Sequence, residues 1–157
     1  MIKITLIGYG NVAQHLIHAF QQNPAVKIEQ IFVRNASKVV DIDSSIKIVS
    51  DWNDLIESDV FIIAVSDDFI PEVSENFQLK NQLVVHTSGS VALEEIRNHN
   101  RRGVFYPLQT FSLKSEVAFS EVPFCIETME KEDSKFLKTL ANEMGSPSYM
   151  INTEQRQ

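Results

Sequence analysis

Residues 2–16, IKITLIGYGNVAQHL, set an apolar run directly before two glycines and then open an amphipathic segment. The chain has only 5 glycines in 157 residues, so two within three positions mark a bend that side chains would obstruct. In a strand–turn–helix unit the first glycine permits the tight turn. The second lets the backbone come close to a pyrophosphate, and a small third residue lets the helix pack against the strand. Gly8, Gly10 and Ala13 have this spacing. A helix opening with Asn11 and Val12 would direct unpaired amides and the positive end of its dipole at a diphosphate. Two other readings use the same turn: a bend that serves packing alone, and a nucleoside site of the methyltransferase type. The dinucleotide reading is preferred because the turn follows a strand and opens an amphipathic helix.

Outward from this unit the pattern repeats. Short runs rich in Ile, Val and Phe recur at 26–33, 46–49, 60–65, 83–85, 104–106 and 124–126, too short for helices and suited to buried strands. Between them, apolar residues fall on one helical face at Val12, Leu16, Ile17 and Phe20, at Phe69, Ile70, Val73 and Phe77, and at Phe136, Leu137, Leu140 and Met144. A further helix is expected to start with Val91, Leu93 and Ile96. Alternation of this kind predicts a doubly wound, mostly parallel α/β sheet with both faces covered.

The end of the second strand selects the dinucleotide. An NAD site usually places Asp or Glu there to hold the ribose hydroxyls. Here the segment is FVRNASK, with Arg34 where the acid would stand and Asn35, Ser37 and Lys38 behind it. A planar guanidinium can stack on adenine and pair with a 2′-phosphate, Ser37 can donate a hydroxyl, and Lys38 adds a point charge. The expected cofactor is NADP; a solvated basic turn is the alternative.

Ligands of open parallel sheets sit beyond the carboxyl ends of the strands, which makes three further loops candidates for chemistry. Val65, a candidate cofactor contact, ends the fourth run, and Ser66 and Asp67 follow it; these two either cap the next helix or touch the ribose and nicotinamide of the cofactor. His86, Thr87 and Ser88 follow the fifth. Thr87 can hydrogen-bond a carboxamide, while His86 and Ser88 are the candidate catalytic groups, since a free histidine titrates near neutrality; a structural histidine is the competing account. After GVFY comes PLQTFS, where Gln109 and Thr110 are candidate substrate-orienting residues, or else an ordinary turn.

Bulk properties narrow the function classes. Hydrophobic residues make up 43% and charged residues 22% of the chain, a globular mixture. A formal net charge of −7 with no basic and aromatic stripe argues against nucleic acid. No apolar run is long enough to cross a bilayer and no His, Cys and acid cluster suggests a metal. The single cysteine, Cys125, cannot form an internal disulfide and is expected to be a buried structural thiol, in keeping with a reducing, cytoplasmic setting.

GYGNVAQHL, AVSDD, HTSGSV and GVFYPLQTFS, in this order, resemble the N-terminal domain of a family of predicted NADP oxidoreductases related to pyrroline-5-carboxylate reductase and to deazaflavin-dependent NADP reductases. The resemblance runs over essentially the whole chain. It implies a Rossmann NAD(P)-binding domain over 1–150, with 151–157 leading toward an all-helical domain that supplies homodimer contacts and part of the active site. Several relatives carry histidine where Tyr106 stands, so no catalytic role transfers to that position. The expectation is hydride transfer between NADP(H) and a small carbonyl or imine substrate; a cofactor-binding module without turnover is the alternative.

Overall fold

The computed structural model describes residues 1–97, 100–109 and 118–156. β1 (Ile2–Ile7) leads through the glycine turn into α1 (Asn11–Gln21), and β2 (Val26–Phe32) returns beside β1. β3 (Lys47–Val49), β4 (Val60–Ile63), α2 (Ile70–Asn76), β5 (Leu83–His86) and β6 (Arg101–Pro107) follow. β7 (Phe124–Thr128), α3 (Lys131–Glu143), β8 (Ser148–Met150) and the single turn α4 (Thr153–Arg156) complete the described chain. The strands form one sheet in the order β3-β2-β1-β4-β5-β6-β7-β8, parallel except where β6 meets β7. The doubly wound, mostly parallel α/β sheet is therefore present.

Two apolar layers flank the sheet. On one face Ile4 and Leu6 of β1 pack with Leu16, Ile17 and Phe20 of α1 and with Leu137 and Leu140 of α3. On the other, Ile7, Phe61, Ile63 and Val84 pack with Ile70 and Phe77 around α2. Phe20 has no exposed surface; truncating such a side chain to alanine typically costs about 3–5 kcal/mol. β4 and β5 are buried at every position, as expected for strands covered on both sides. Cys125 lies in β7 with 2% of its surface exposed, and burial pushes its thiol pKa up. No helix among the described residues is long and apolar enough to cross a membrane.

Three elements differ from the sequence reading. The segment Val91–Ile96 forms only a tight turn at Leu93–Glu95, because the Ser74 hydroxyl accepts the Arg97 amide at 2.8 Å and draws the chain away from a helical path. Phe69 does not join the buried face of α2; it is 44% exposed. β8 is an extra edge strand, paired in parallel with β7 through Phe124–Ser148, Cys125–Tyr149 and Ile126–Met150.

The strand order places β1 between β2 and β4, so chain connections leave in opposite directions on either side of it. The crevice above the carboxyl ends of β1 and β4 is the usual ligand position in such a sheet.

Candidate functional site

At the end of β1 the Gly8 amide donates to the Phe32 carbonyl of β2, and the Ala64 amide donates to the Ile7 carbonyl. These bonds hold Gly8 against the chain that leaves β4. Its φ of +115° is one that residues with a Cβ rarely adopt, and an added Cβ would lie 2.4 Å from the Ala64 carbonyl oxygen. Gly10 is different. With φ −79° its backbone suits any residue, and a Cβ there would meet nothing within 4 Å. It occupies the N-cap position of α1, makes no side-chain cap, and is followed by a first turn without acidic residues. A helix start that borders a cleft and carries no acidic residue in its first turn accommodates an anion. Ala13 is fully buried behind the turn, where its small side chain permits close packing.

The cleft above this turn has a volume of about 1140 Å³ and crosses the sheet edge. It brings together Gly8, Gly10, Asn11 and Val12 from the turn, Arg34, Asn35 and Lys38 from the β2 end, and Val65, Ser66, Asp67 and Thr87 from the β4 and β5 ends. Asn35 shapes the basic corner: its side-chain oxygen accepts the Ser37 amide at 3.1 Å and the Ser37 hydroxyl at 2.6 Å. Ser37 is exposed on this corner but does not line the cleft. Arg34 is exposed, its guanidinium carbon 5.4 Å from the centroid of the Phe69 ring, which reaches over from the β4 end.

Sequence reading did not single out Phe69, Ser50 or Trp52 as cleft residues. Trp52, the lone tryptophan, stacks on Phe32 with ring centroids 3.9 Å apart, and both rings line the cleft. Its position just after the third apolar run was the available signal.

The loop after β5 is closed upon itself. His86 has no exposed surface; its Nδ1 accepts the Ser88 amide at 3.0 Å, and its buried Nε2, near the Val91 and Ala92 backbone, meets no hydrogen-bond partner of good geometry among the described residues. Burial, aided by the charge of Arg156, lowers its pKa from 6.5 to about 4, so the imidazole is neutral with its proton on Nε2. The Ser88 hydroxyl accepts the Ser90 and Val91 amides, both at 3.1 Å. The Ser90 hydroxyl donates to Asp67 Oδ2 at 2.8 Å, joining the loops after β4 and β5. Thr87 Oγ1 donates to the Ile63 carbonyl at 3.3 Å and still faces the cleft. His86 and Ser88 do not line the cleft. Gln109 is exposed beyond β6 at the same sheet edge, and Thr110 lies outside the described residues.

Fold and cleft together define a Rossmann-type dinucleotide-binding domain. A sequence model of the family described as NADP oxidoreductase, coenzyme F420-dependent, matches residues 3–89, and the chain belongs to that family. A Bacteroides fragilis protein assigned as an NADP oxidoreductase is 31% identical, with a TM-score of 0.86 over 99% of this chain and 62% of its own. Pyrroline carboxylate reductase from Plasmodium falciparum, solved with NADP bound, shares the fold at 16% identity and a TM-score of 0.73, over 98% of this chain and 58% of its own. Meso-diaminopimelate D-dehydrogenase from Ureibacillus thermosphaericus is 35% identical over 48 residues, 31% of this chain and 15% of that enzyme. The chain thus spans less than two thirds of each of these proteins.

Proposed function

We propose that this chain is the NADP(H)-binding domain of an oxidoreductase that passes hydride between the nicotinamide and a small carbonyl or imine substrate. The observation that carries the reading is Gly10, an uncapped helix start with an open α-carbon facing a cleft whose far wall holds Arg34 and Lys38. When bound, NADP(H) supplies the hydride chemistry; the protein supplies orientation and charge.

The residues present suit that cofactor. The amides at Asn11 and Val12 receive the diphosphate, and the open face of Gly10 lets the backbone approach it. Arg34 and Lys38 hold the 2′-phosphate, with Asn35 and Ser37 shaping the corner. From the β2 end to the β5 end is three strand spacings, roughly 14 Å, which sets the adenosine over Arg34 and the nicotinamide near Val65, Ser66, Asp67 and Thr87. His86 is assigned to holding the Ser88 turn rather than to proton transfer, because its proton sits on a buried nitrogen. Gln109, with Thr110, supplies substrate contacts from the same edge.

In this reading 1–150 is the nucleotide domain, and a helical domain beyond it completes the substrate cleft and the homodimer. The lone, buried Cys125 suits a cytoplasmic setting. Titration should show NADPH binding at least about tenfold tighter than NADH, the worth of one charge-assisted contact, with the preference lost in Arg34→Ala. Equal binding of the two, unchanged by that substitution, would overturn the cofactor assignment. The hydride-transfer reading is tested by NADPH absorbance loss across a panel of carbonyls and imines, using protein that carries its native C-terminal continuation. Tight binding with silence across the panel would favour the module without turnover.

A further inference from the structure

The Arg156 side chain is 1% exposed, yet among the described residues its ionic partner is Glu127 alone, itself partly buried. Burying a guanidinium is costly unless the geometry around it is well satisfied. Here Nη1 donates to Glu127 Oε1 at 2.7 Å, Nη2 donates to the Val91 carbonyl at 2.5 Å, and Nε has no partner among the described residues. The turn that carries it is firmly built. Asn152 Oδ1 accepts the Gln155 amide, Gln155 Oε1 accepts the Asn152 amide, and Thr153 Oγ1 donates to the same Glu127 oxygen. Glu127 lies opposite Val104, which in turn pairs with His86, so the guanidinium sits on the sheet face that His86 shares.

The Val91 contact leads to the cleft. The Val91 amide and the Ser90 amide both end on the Ser88 hydroxyl, and Ser90 then reaches Asp67 on the cleft wall. We propose that Arg156 is a positioning residue for the nicotinamide half of the cleft, acting through the Val91 carbonyl, the Ser88 turn and the Ser90–Asp67 hydrogen bond. The inference rests on the nucleotide reading above and adds to it a residue 65 positions from the loop it holds. The charge of Arg156 also helps keep His86 neutral, which leaves Nδ1 free to accept the Ser88 amide. An arginine that merely anchored the last turn would show no preference between the two halves of the dinucleotide.

The experiment compares two probes on the full chain: NADPH, which spans the cleft, and 2′,5′-ADP, which occupies only its adenosine half. Arg156→Met should weaken NADPH about fivefold, the worth of one positioned hydrogen bond, and leave 2′,5′-ADP within about twofold. Ser90→Ala removes an exposed hydroxyl from the same relay without disturbing the buried cation and should reproduce that split; it decides the matter if Arg156→Met does not fold. Equal losses for both probes, or no loss for either, would overturn the proposal while leaving the nucleotide site standing. Failure of the unaltered chain to bind either probe would overturn the site and this inference with it.

Discussion

Residues Gly8–Ala13 and residues His86–Ser90 both follow central strands at the same edge of the sheet, and they dispose of their polar groups in opposite ways. The glycine turn leaves its helix start without a side-chain cap or an acidic residue in its first turn. The β5 loop spends its polar atoms internally: Nδ1 of His86 on the Ser88 amide, the Ser88 hydroxyl on Ser90 and Val91, and Ser90 on Asp67. An open turn offers donors to a ligand, whereas a satisfied loop offers a wall. Rich polar composition is therefore a weaker guide to chemistry than a helix start without a side-chain cap.

The contrast can be broken most forcefully at Gly8. Gly8→Ala combines a left-handed φ with a Cβ driven onto a backbone carbonyl, and should cost about 4 kcal/mol of stability by denaturant titration; a cost below 1 kcal/mol would contradict the geometry. Next comes the closed loop. Above pH 6.5 His86 is neutral folded or unfolded. As pH falls from 6.5 to about 4 only the unfolded chain takes up the proton, so the contribution of His86 to stability should fall by about 3 kcal/mol and then level. Asp67 opposes that shift and Arg156 supports it. Denaturation curves across this range, repeated for His86→Asn, should show the part of the slope owed to the imidazole disappear.

Smaller effects separate binding from folding. Arg34→Ala should weaken NADPH by about 1.4 kcal/mol, roughly tenfold, with little change for NADH. Gly10→Ala sharpens the comparison with Gly8 because its Cβ meets no protein atom. It should fold within about 1 kcal/mol of the unaltered chain and bind NADPH about tenfold more weakly. Loss of folding at Gly10, or unchanged affinity, would remove the distinction between the two glycines.

What was legible in the chain follows from what was local. Glycine spacing, the face shared by Leu16, Ile17 and Phe20, and the missing acid at Arg34 are all properties of a few adjacent residues, and each appears where it was expected in the structure. β8 was not legible, because Tyr149 and Met150 are exposed and the strand exists only through its ladder with β7. The helix expected after Val91 was apolar enough, but Ser74, from α2, captures its backbone. Gln30 in the middle of β2 looks like a surface residue in sequence. It is fully buried, holding Ile56 through both its amide oxygen and nitrogen and Thr5 through the latter.

By itself the sequence determined the alternating architecture, the position of the glycine turn and the basic corner beside it, since these depend on short-range periodicity and on backbone freedom at single residues. Tertiary structure alone decided that His86 is sealed and neutral, that Trp52 and Phe69 enter the cleft, and that Arg156 reaches the Val91 carbonyl. Burial and long-range hydrogen bonds arise only when distant segments are packed together, and no local pattern encodes the partner a side chain will find there.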